Sequence, residues 1–390
     1  MTKPDSTTGG PNLRFCFVGD AGPTLFGLSP VERSRRLLAK AGAGGELPLV
    51  EAEAHGGSVL VIRADAAIDQ PLIPLLMATP GLALVGQSAS GETRLAVLVP
   101  AGSAEAAAHF LLGRSDAIAG LEIDSRRPSE LKADFWKALR KRETPYAFAV
   151  SAANARNVEW RMFMGTYKGA TDLVTKHVWP LPAFHATRFL APRGVTPNMV
   201  TTVAAICTVL AFLLFLKGHF AAGLVFAWAM TFLDTVDGKL ARTTLTSSKW
   251  GDIFDHGIDL VHPPFWYVAW ALGLGAAGFV WSPVTFWWVI VAILGGYVVQ
   301  RLFEGIAIKW LGLEIHIWRP VDTLFRQVTA RRNPNLVLLT LSVLIGRPDW
   351  GLIAVAVWTV VCLVLHALQL MQALAAKKRL GQLTSWMTGR

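Results

Sequence analysis

The stretch "FLDTVDGKLARTTLTSSKWGDIFDHGIDL", residues 232–260, carries five aspartates between strongly apolar segments: Asp234, Asp237, Asp252, Asp255 and Asp259. Asp234 and Asp237 stand three apart, and Asp255 and Asp259 stand four apart. Each pair therefore shares one face of a helix. If the two helices are neighbours joined by "TTLTSSKW", four carboxylates converge on one pocket. A carboxylate deep in a membrane helix costs about 2.5–3.5 kcal/mol on insertion scales, and four together repel one another. Divalent cations relieve both penalties. An all-oxygen donor set, with neither His nor Cys required, suits Mg²⁺, Mn²⁺ or Ca²⁺ rather than zinc. The run is not an EF-hand loop, because oxygen ligands at alternate positions and the closing Glu are absent.

The neighbouring residues extend the same chemistry. Gly238, Ala241 and Gly251 keep the helix surfaces bare, so a bulky ligand can approach the backbone, and Arg242 offers a fixed fork for a phosphate. Metals, a phosphate-binding Arg and carboxylates beside lipid point to phosphoryl-group transfer on an amphipathic substrate. Aspartates at helix ends are often merely solvated. That explanation suits one or two, but not four in register with Gly, Ala and Arg. His256 and His262 flank the second pair and are assigned supporting rather than ligating roles.

The spacing D-x-x-D-G-x-x-A-R, eight residues, then G-x-x-x-D-x-x-x-D resembles the signature of the CDP-alcohol phosphotransferases at every defined position. The resemblance extends over about residues 140–375 and includes "TPN" at 196–198. It implies six transmembrane helices in a homodimer. It also implies transfer of a phospho-alcohol from a CDP-linked donor to an acceptor hydroxyl, with release of CMP, in phospholipid or lipid-headgroup synthesis. Carried over by position, Asp234, Asp237 and Asp255 would ligate two Mg²⁺ or Mn²⁺ ions. Asp259 would ligate one of them and act as general base on the acceptor. Gly238, Ala241 and Arg242 would cradle the nucleotide and its diphosphate.

The chain that must position these residues has 390 residues, 53% hydrophobic and 16% charged, with a mean hydropathy of +0.42. A soluble protein usually carries nearer a quarter charged residues, and here the apolar excess follows residue 195. Six spans are expected, at roughly 198–216, 219–235, 260–281, 284–305, 335–347 and 350–373. Some are short of the ~20 residues a bilayer core requires. With the N-terminus inside, the outer loops "LKGHF", "WSP" and "GRPDW" hold one Lys and one Arg. The inner loops hold Lys239, Arg242, Lys249, Lys309, Arg319, Arg326, Arg331 and Arg332. That bias places both termini and the aspartates at the cytoplasmic face of a cell membrane. The fifteen tryptophans read as an aromatic belt. The net charge of +10 reads as contact with anionic headgroups, not nucleic acid. Three scattered cysteines indicate neither a disulfide framework nor a zinc site.

The remaining segments divide as follows. Residues 1–12 are polar, offer no apolar run for a signal peptide, and are expected to be disordered. Residues 13–125 read as a cytoplasmic α/β domain with a mostly parallel sheet covered on both faces, with Ser29 and Pro30 opening a helix. Residues 126–195 read as a connector with an interfacial amphipathic helix, 196–375 as the membrane domain and 376–390 as a basic cytoplasmic tail. The α/β domain resembles a nucleotidyltransferase that handles sugar or inositol phosphates. Its first loop, "GDAGPTLFG", lacks the Arg of that family and the Pro-Lys that follows it. It is therefore expected to be degenerate, although Asp65 and Asp69 could bind a metal. The alternatives are a bifunctional chain that also makes its CDP-alcohol, and a cation or solute transporter. In the loop "RPVDTLFRQVTARRNPN", Arg319, Arg326, Arg331 and Arg332 could hold an anionic acceptor, or simply anchor the chain at the headgroups. Arg301 and Glu304 are expected to pair.

Overall fold

The computed structural model describes residues 13–131, 135, 136, 139, 141–247 and 249–388, with the side chains of 135, 136, 249, 250 and 252–256 outside the description. The expected disorder of 1–12 therefore lies outside the described residues. Two compact units result. The first comprises residues up to Tyr167 together with Arg188–Gly194 and Arg242–Leu245; the second comprises Lys168–Thr187, Val195–Ala241 and Thr246–Arg390.

The first unit is an α/β domain. Its strands are β1 (Arg14–Val18), β2 (Val59–Arg63), β3 (Ala66–Ile68), β4 (Leu82–Ser88), β5 (Gly91–Val99), β6 (Asp124–Arg126) and β9 (Ala147–Ala149). A separate short pair is formed by β7 (Phe135–Trp136) and β8 (Lys141–Arg142). The main sheet runs β1-β2-β5-β4-β9-β3, with β6 also paired to β4. The stretch expected as a connector thus supplies sheet strands. Along β2, Val59 and Val61 join one apolar cluster while Leu60 and Ile62 join the other, as the period of two requires. The helices α1 (Pro30–Lys40), α2 (Leu49–Ala54), α3 (Ile73–Ala78) and α4 (Ala104–Leu111) cover the two faces, and α5 (Ala155–Gly165) follows the sheet. The Ser29 hydroxyl accepts from Glu32 N at 3.1 Å with Pro30 in the first turn, so α1 opens as the sequence predicts.

The sheet is mixed, not mostly parallel. β1/β2, β4/β6 and β4/β9 are parallel, whereas β2/β5, β4/β5 and β3/β9 are antiparallel. Ser88 pairs with Gly91, leaving only Ala89 and Ser90 to turn the chain. A parallel crossover needs a dozen residues or more, so that loop length imposes a hairpin. Gly91, at φ 130°, supplies the backbone conformation that other residues rarely adopt.

The two acids singled out in this unit are both engaged. Asp65 forms a bidentate pair with Arg63, at 2.9 and 2.7 Å. Asp69 accepts from Gln70 N at 2.9 Å and Tyr146 N at 3.4 Å. Burial pushes the Asp69 carboxyl up to about 6, against the pull of those two backbone donors and of Lys141. A raised carboxyl binds its proton more tightly in the folded than in the unfolded chain. Stability must therefore fall as pH rises from about 4 to about 6, by up to about 3 kcal/mol. Asp69→Asn is expected to remove that slope and to stabilise the protein above pH 6. Thermal unfolding at pH 4.5 and 7.5 checks it; an equal loss at both pH values contradicts it.

The second unit is helical: α6 (Leu173–His177), most of α7 (Pro180–Leu190), α8 (Pro197–Leu216), α9 (Phe220–Thr243), α10 (Lys249–Ala276), α11 (Pro283–Ile306), α12 (Pro320–Phe325), α13 (Arg332–Leu344) and α14 (Pro348–Leu380). Among the described residues, four helices are long and apolar enough to cross a membrane: Pro197–Leu216, Phe220–Thr243, Pro283–Leu311 and Pro348–Leu380. This marks the unit as an integral membrane domain. The other two expected spans fall on α10, which begins with the polar 249–259 stretch, and on α13. With 13 residues, α13 reaches about 20 Å against a core of ~30 Å.

The core of this unit centres on Trp270, which is fully buried, with its ring 4.9 Å from Phe215 and 4.4 Å from Phe220, and Nε1 donating to Pro348 O at 3.0 Å. Pro263 and Pro264 lie inside α10 and remove two backbone donors. The carbonyl of Leu260, four residues before Pro264, instead receives the Tyr297 hydroxyl at 2.8 Å.

Candidate active site

Asp234, Asp237, Gly238 and Ala241 form one stripe of α9, at i, i+3, i+4 and i+7. Asp237 is 3% exposed, and its Oδ2 receives the hydroxyl of Thr201 from α8 at 2.5 Å. Asp259, on α10, lies close enough to repel both Asp234 and Asp237. Arg332, the first residue of α13, spans the gap: Nη2 is 2.6 Å from Asp234 Oδ2, and Nη1 donates to Asp259 Oδ1. Three helices and a helix start thus meet at three carboxylates.

Asp255 stands one turn before Asp259 in sequence, but its side chain lies outside the described residues, as does that of His256. Gly251 is half-buried in the first turn of α10. Arg242 follows Ala241 in the last turn of α9 and is half-buried. The helix closes with Leu245 at φ 57° and Thr246 N donating to Ala241 O at 2.9 Å, a Schellman-type ending. His262 turns its Nδ1 to the carbonyl of Ile258, one turn earlier in its own helix, at 2.7 Å.

Among the described residues, no three Asp, Glu, His or Cys side chains are grouped closely enough to hold a metal ion, and the side chain of Asp255 lies outside that description. The Asp237 Oδ1 is buried and has no hydrogen-bond partner among the described residues, a costly state for a carboxylate oxygen unless a cation meets it. The carboxylates on view offer oxygen donors only, the chemistry of a hard cation. Ala205, Thr208, Val209, Ile258 and Val261, with His262, line a mostly apolar groove of about 500 Å³ between α8 and α10.

The loop arginines separate into three groups. Arg319 pairs with Asp322 at 2.9 Å and reaches Gln372. Arg332 belongs to the aspartates. Arg331 and Arg326 join Arg301 around Glu304, which pairs with Arg301 at 2.9 Å, with Arg331, and with His316 at 3.2 Å. Burial, with Arg331 beside it, lowers Arg326 to about 9, and burial lowers His316 to about 3, so the imidazole is neutral. The Arg326 Nη1 is buried without a partner among the described residues. Asp172 also acts on Arg326, so three guanidiniums face two carboxylates and one positive charge is left over. The expected pair of Arg301 and Glu304 is present, but Thr201 and the further partners of Glu304, Arg331 and His316, were missed from sequence. A lone hydroxyl in an apolar helix, and partners more than ten residues away from Glu304, carry no spacing that singles them out.

Residues 194–330 match the family model described as CDP-alcohol phosphatidyltransferase, so the chain carries a domain of that family there. All four signature aspartates fall within it. The archaetidylinositol phosphate synthase of Pyrococcus horikoshii is 34% identical over 112 residues, 28% of this chain and 55% of the relative. The phosphatidylinositol phosphate synthase of Streptomyces avermitilis is 33% identical over 95 residues, 24% of this chain and 37% of the relative. Choline/ethanolaminephosphotransferase 1 of Arabidopsis thaliana is 35% identical over 121 residues, 27% of this chain and 30% of the relative. The chain therefore spans about half the length, or less, of these curated relatives.

Proposed function

We propose that the chain is a CDP-alcohol phosphotransferase of phospholipid synthesis. The observation that carries this is that Asp234, Asp237 and Asp259, from two helices of the matched segment, lie near one another, Asp237 buried and Asp234 and Asp259 joined through Arg332. In this reading these three and Asp255 hold two divalent cations, Mg²⁺ or Mn²⁺. The ions neutralise the donor's diphosphate and polarise its phosphorus–oxygen bonds. Thr201 fixes the orientation of Asp237. Gly238, Ala241 and Gly251 leave room for the nucleotide, and Arg242 forks onto a phosphate. Asp259 takes the proton of the acceptor hydroxyl. The hydroxyl oxygen then bonds to the phosphorus that bears the alcohol, the bond to CMP breaks, and CMP leaves with the electron pair. The mostly apolar groove between α8 and α10 suits a hydrocarbon chain of one substrate.

The cluster around Glu304 supports an acceptor that itself carries a phosphate, and two of the relatives are inositol phosphate lipid synthases by name. Arg326→Gln is then expected to raise KM for a phosphorylated polyol acceptor about 10–100-fold, the cost of one hydrogen bond to a charged group, with the donor's KM little changed. Equal effects on phosphorylated and plain acceptors would contradict it.

Six spans, a homodimer and a cytoplasmic active face complete the reading, with α10 and α13 as the two further crossings. The Lys and Arg of the inner loops support that orientation. The α/β domain is assigned a non-catalytic, cytoplasmic role, because Asp65 and Asp69 are already engaged within it. The test is CMP release in mixed micelles. Full-length protein receives CDP-diacylglycerol or another CDP-alcohol, a panel of plain and phosphorylated acceptors, and Mg²⁺, Mn²⁺ or EDTA. CMP that requires metal and one acceptor is expected; no CMP from any pair, with folded protein, would sink the proposal.

A further inference from the structure

Arg332 belongs to no part of the aspartate signature. It lies 73 residues beyond Asp259 and past residue 330, where the family match ends. Yet it touches two of the pocket's carboxylates at once, Asp234 on α9 and Asp259 on α10. Its side chain is 15% exposed. Two carboxylates held together, Asp234 18% and Asp259 39% exposed, are stabilised by neutralisation, either by a bound cation or by a positive side chain. A guanidinium suits the second role, because its planar fork can face two carboxylates together. The two solutions compete. The N–H groups aimed at Asp234 Oδ2 and Asp259 Oδ1 occupy lone pairs that a metal would use. A guanidinium and a divalent cation at the same carboxylates would also repel each other.

We propose that Arg332 is the resting counter-ion of this pocket, and that a divalent cation takes Asp234 and Asp259 only by displacing it. The inference rests on the metal reading of the site given above. It follows that the metal-free pocket stays neutralised and folded, and that metal affinity is lowered by the strength of the ion pair given up.

Mn²⁺ binding to the full-length protein in detergent, followed by loss of the free-ion EPR signal, tests this without any turnover. Arg332→Met keeps the apolar stem and removes the charge. It is expected to bind Mn²⁺ about tenfold tighter or more, the range set by coupling between close charge pairs. In EDTA it is expected to unfold at a lower temperature than the unmodified protein, and to gain more from Mn²⁺. Arg332→Lys, whose point charge cannot bridge two carboxylates as a fork does, is expected to fall between. If the Met variant binds Mn²⁺ no tighter than the unmodified protein, displacement is wrong although the metal site stands. Should the Met variant fail to fold, the Lys variant decides: unchanged or weaker binding overturns the proposal. Absence of Mn²⁺ binding in all three chains would overturn the metal reading itself, and this inference with it.

Discussion

Asp237→Asn is expected to lower metal-dependent CMP release by roughly 10³-fold, the scale on which removal of one preorganised electrostatic group acts. The residue is 3% exposed, one oxygen is fixed by Thr201 at 2.5 Å, and the other is buried with no partner among the described residues. An amide of the same shape keeps the packing but removes the charge, and can set an NH₂ group where a cation would bind. Folding should not suffer, because a buried carboxylate that repels Asp234 and Asp259 is neutralised. Equal or higher thermal stability with activity lost therefore separates a site role from a structural one. Activity within tenfold of the unmodified protein would remove Asp237 from the metal set.

Gly273→Ala is expected to cost about 2 kcal/mol, within the range for forcing an extra carbon into a filled interior. A Cβ at Gly273 on α10 would stand 1.8 Å from the carbonyl oxygen of Phe215 and 3.0 Å from Gly218 N. These are backbone atoms, so α8 and α10 would have to separate. Gly275, two residues on, has nothing within 4 Å of such a Cβ. Gly275→Ala should therefore gain about 0.5–1 kcal/mol from helix propensity alone. Opposite signs in thermal unfolding in micelles are the expected result; equal effects would mean that the close approach of α8 and α10 does not matter. Because α8 carries Thr201 and α10 carries Asp259, Gly273→Ala should also lose CMP release.

The comparison of sequence with structure divides along the range of the forces involved. The four helices long enough to cross a membrane were legible because apolar length is a local property of the chain. The start of α1 was legible because Ser29 and Pro30 act on their own neighbours. The mixed sheet was misread: alternating strands and helices suggested a parallel order, but a two-residue turn between β4 and β5 forces a hairpin. The last strand, β9, was missed because its three residues lie in a segment read as a connector, and so short an apolar run carries too little pattern to announce a strand.

By itself the sequence determined which residues could do chemistry, because periods of three and four place Asp234 with Asp237, and Asp255 with Asp259, on helix faces whatever else the chain does. The tertiary structure alone decided which groups answer those carboxylates. Thr201, 36 residues before Asp237, and Arg332, 98 residues after Asp234, reach the pocket only because α8 and the start of α13 pack beside α9. Helix packing is specified by side-chain shape across the whole unit, and no spacing in the chain records it.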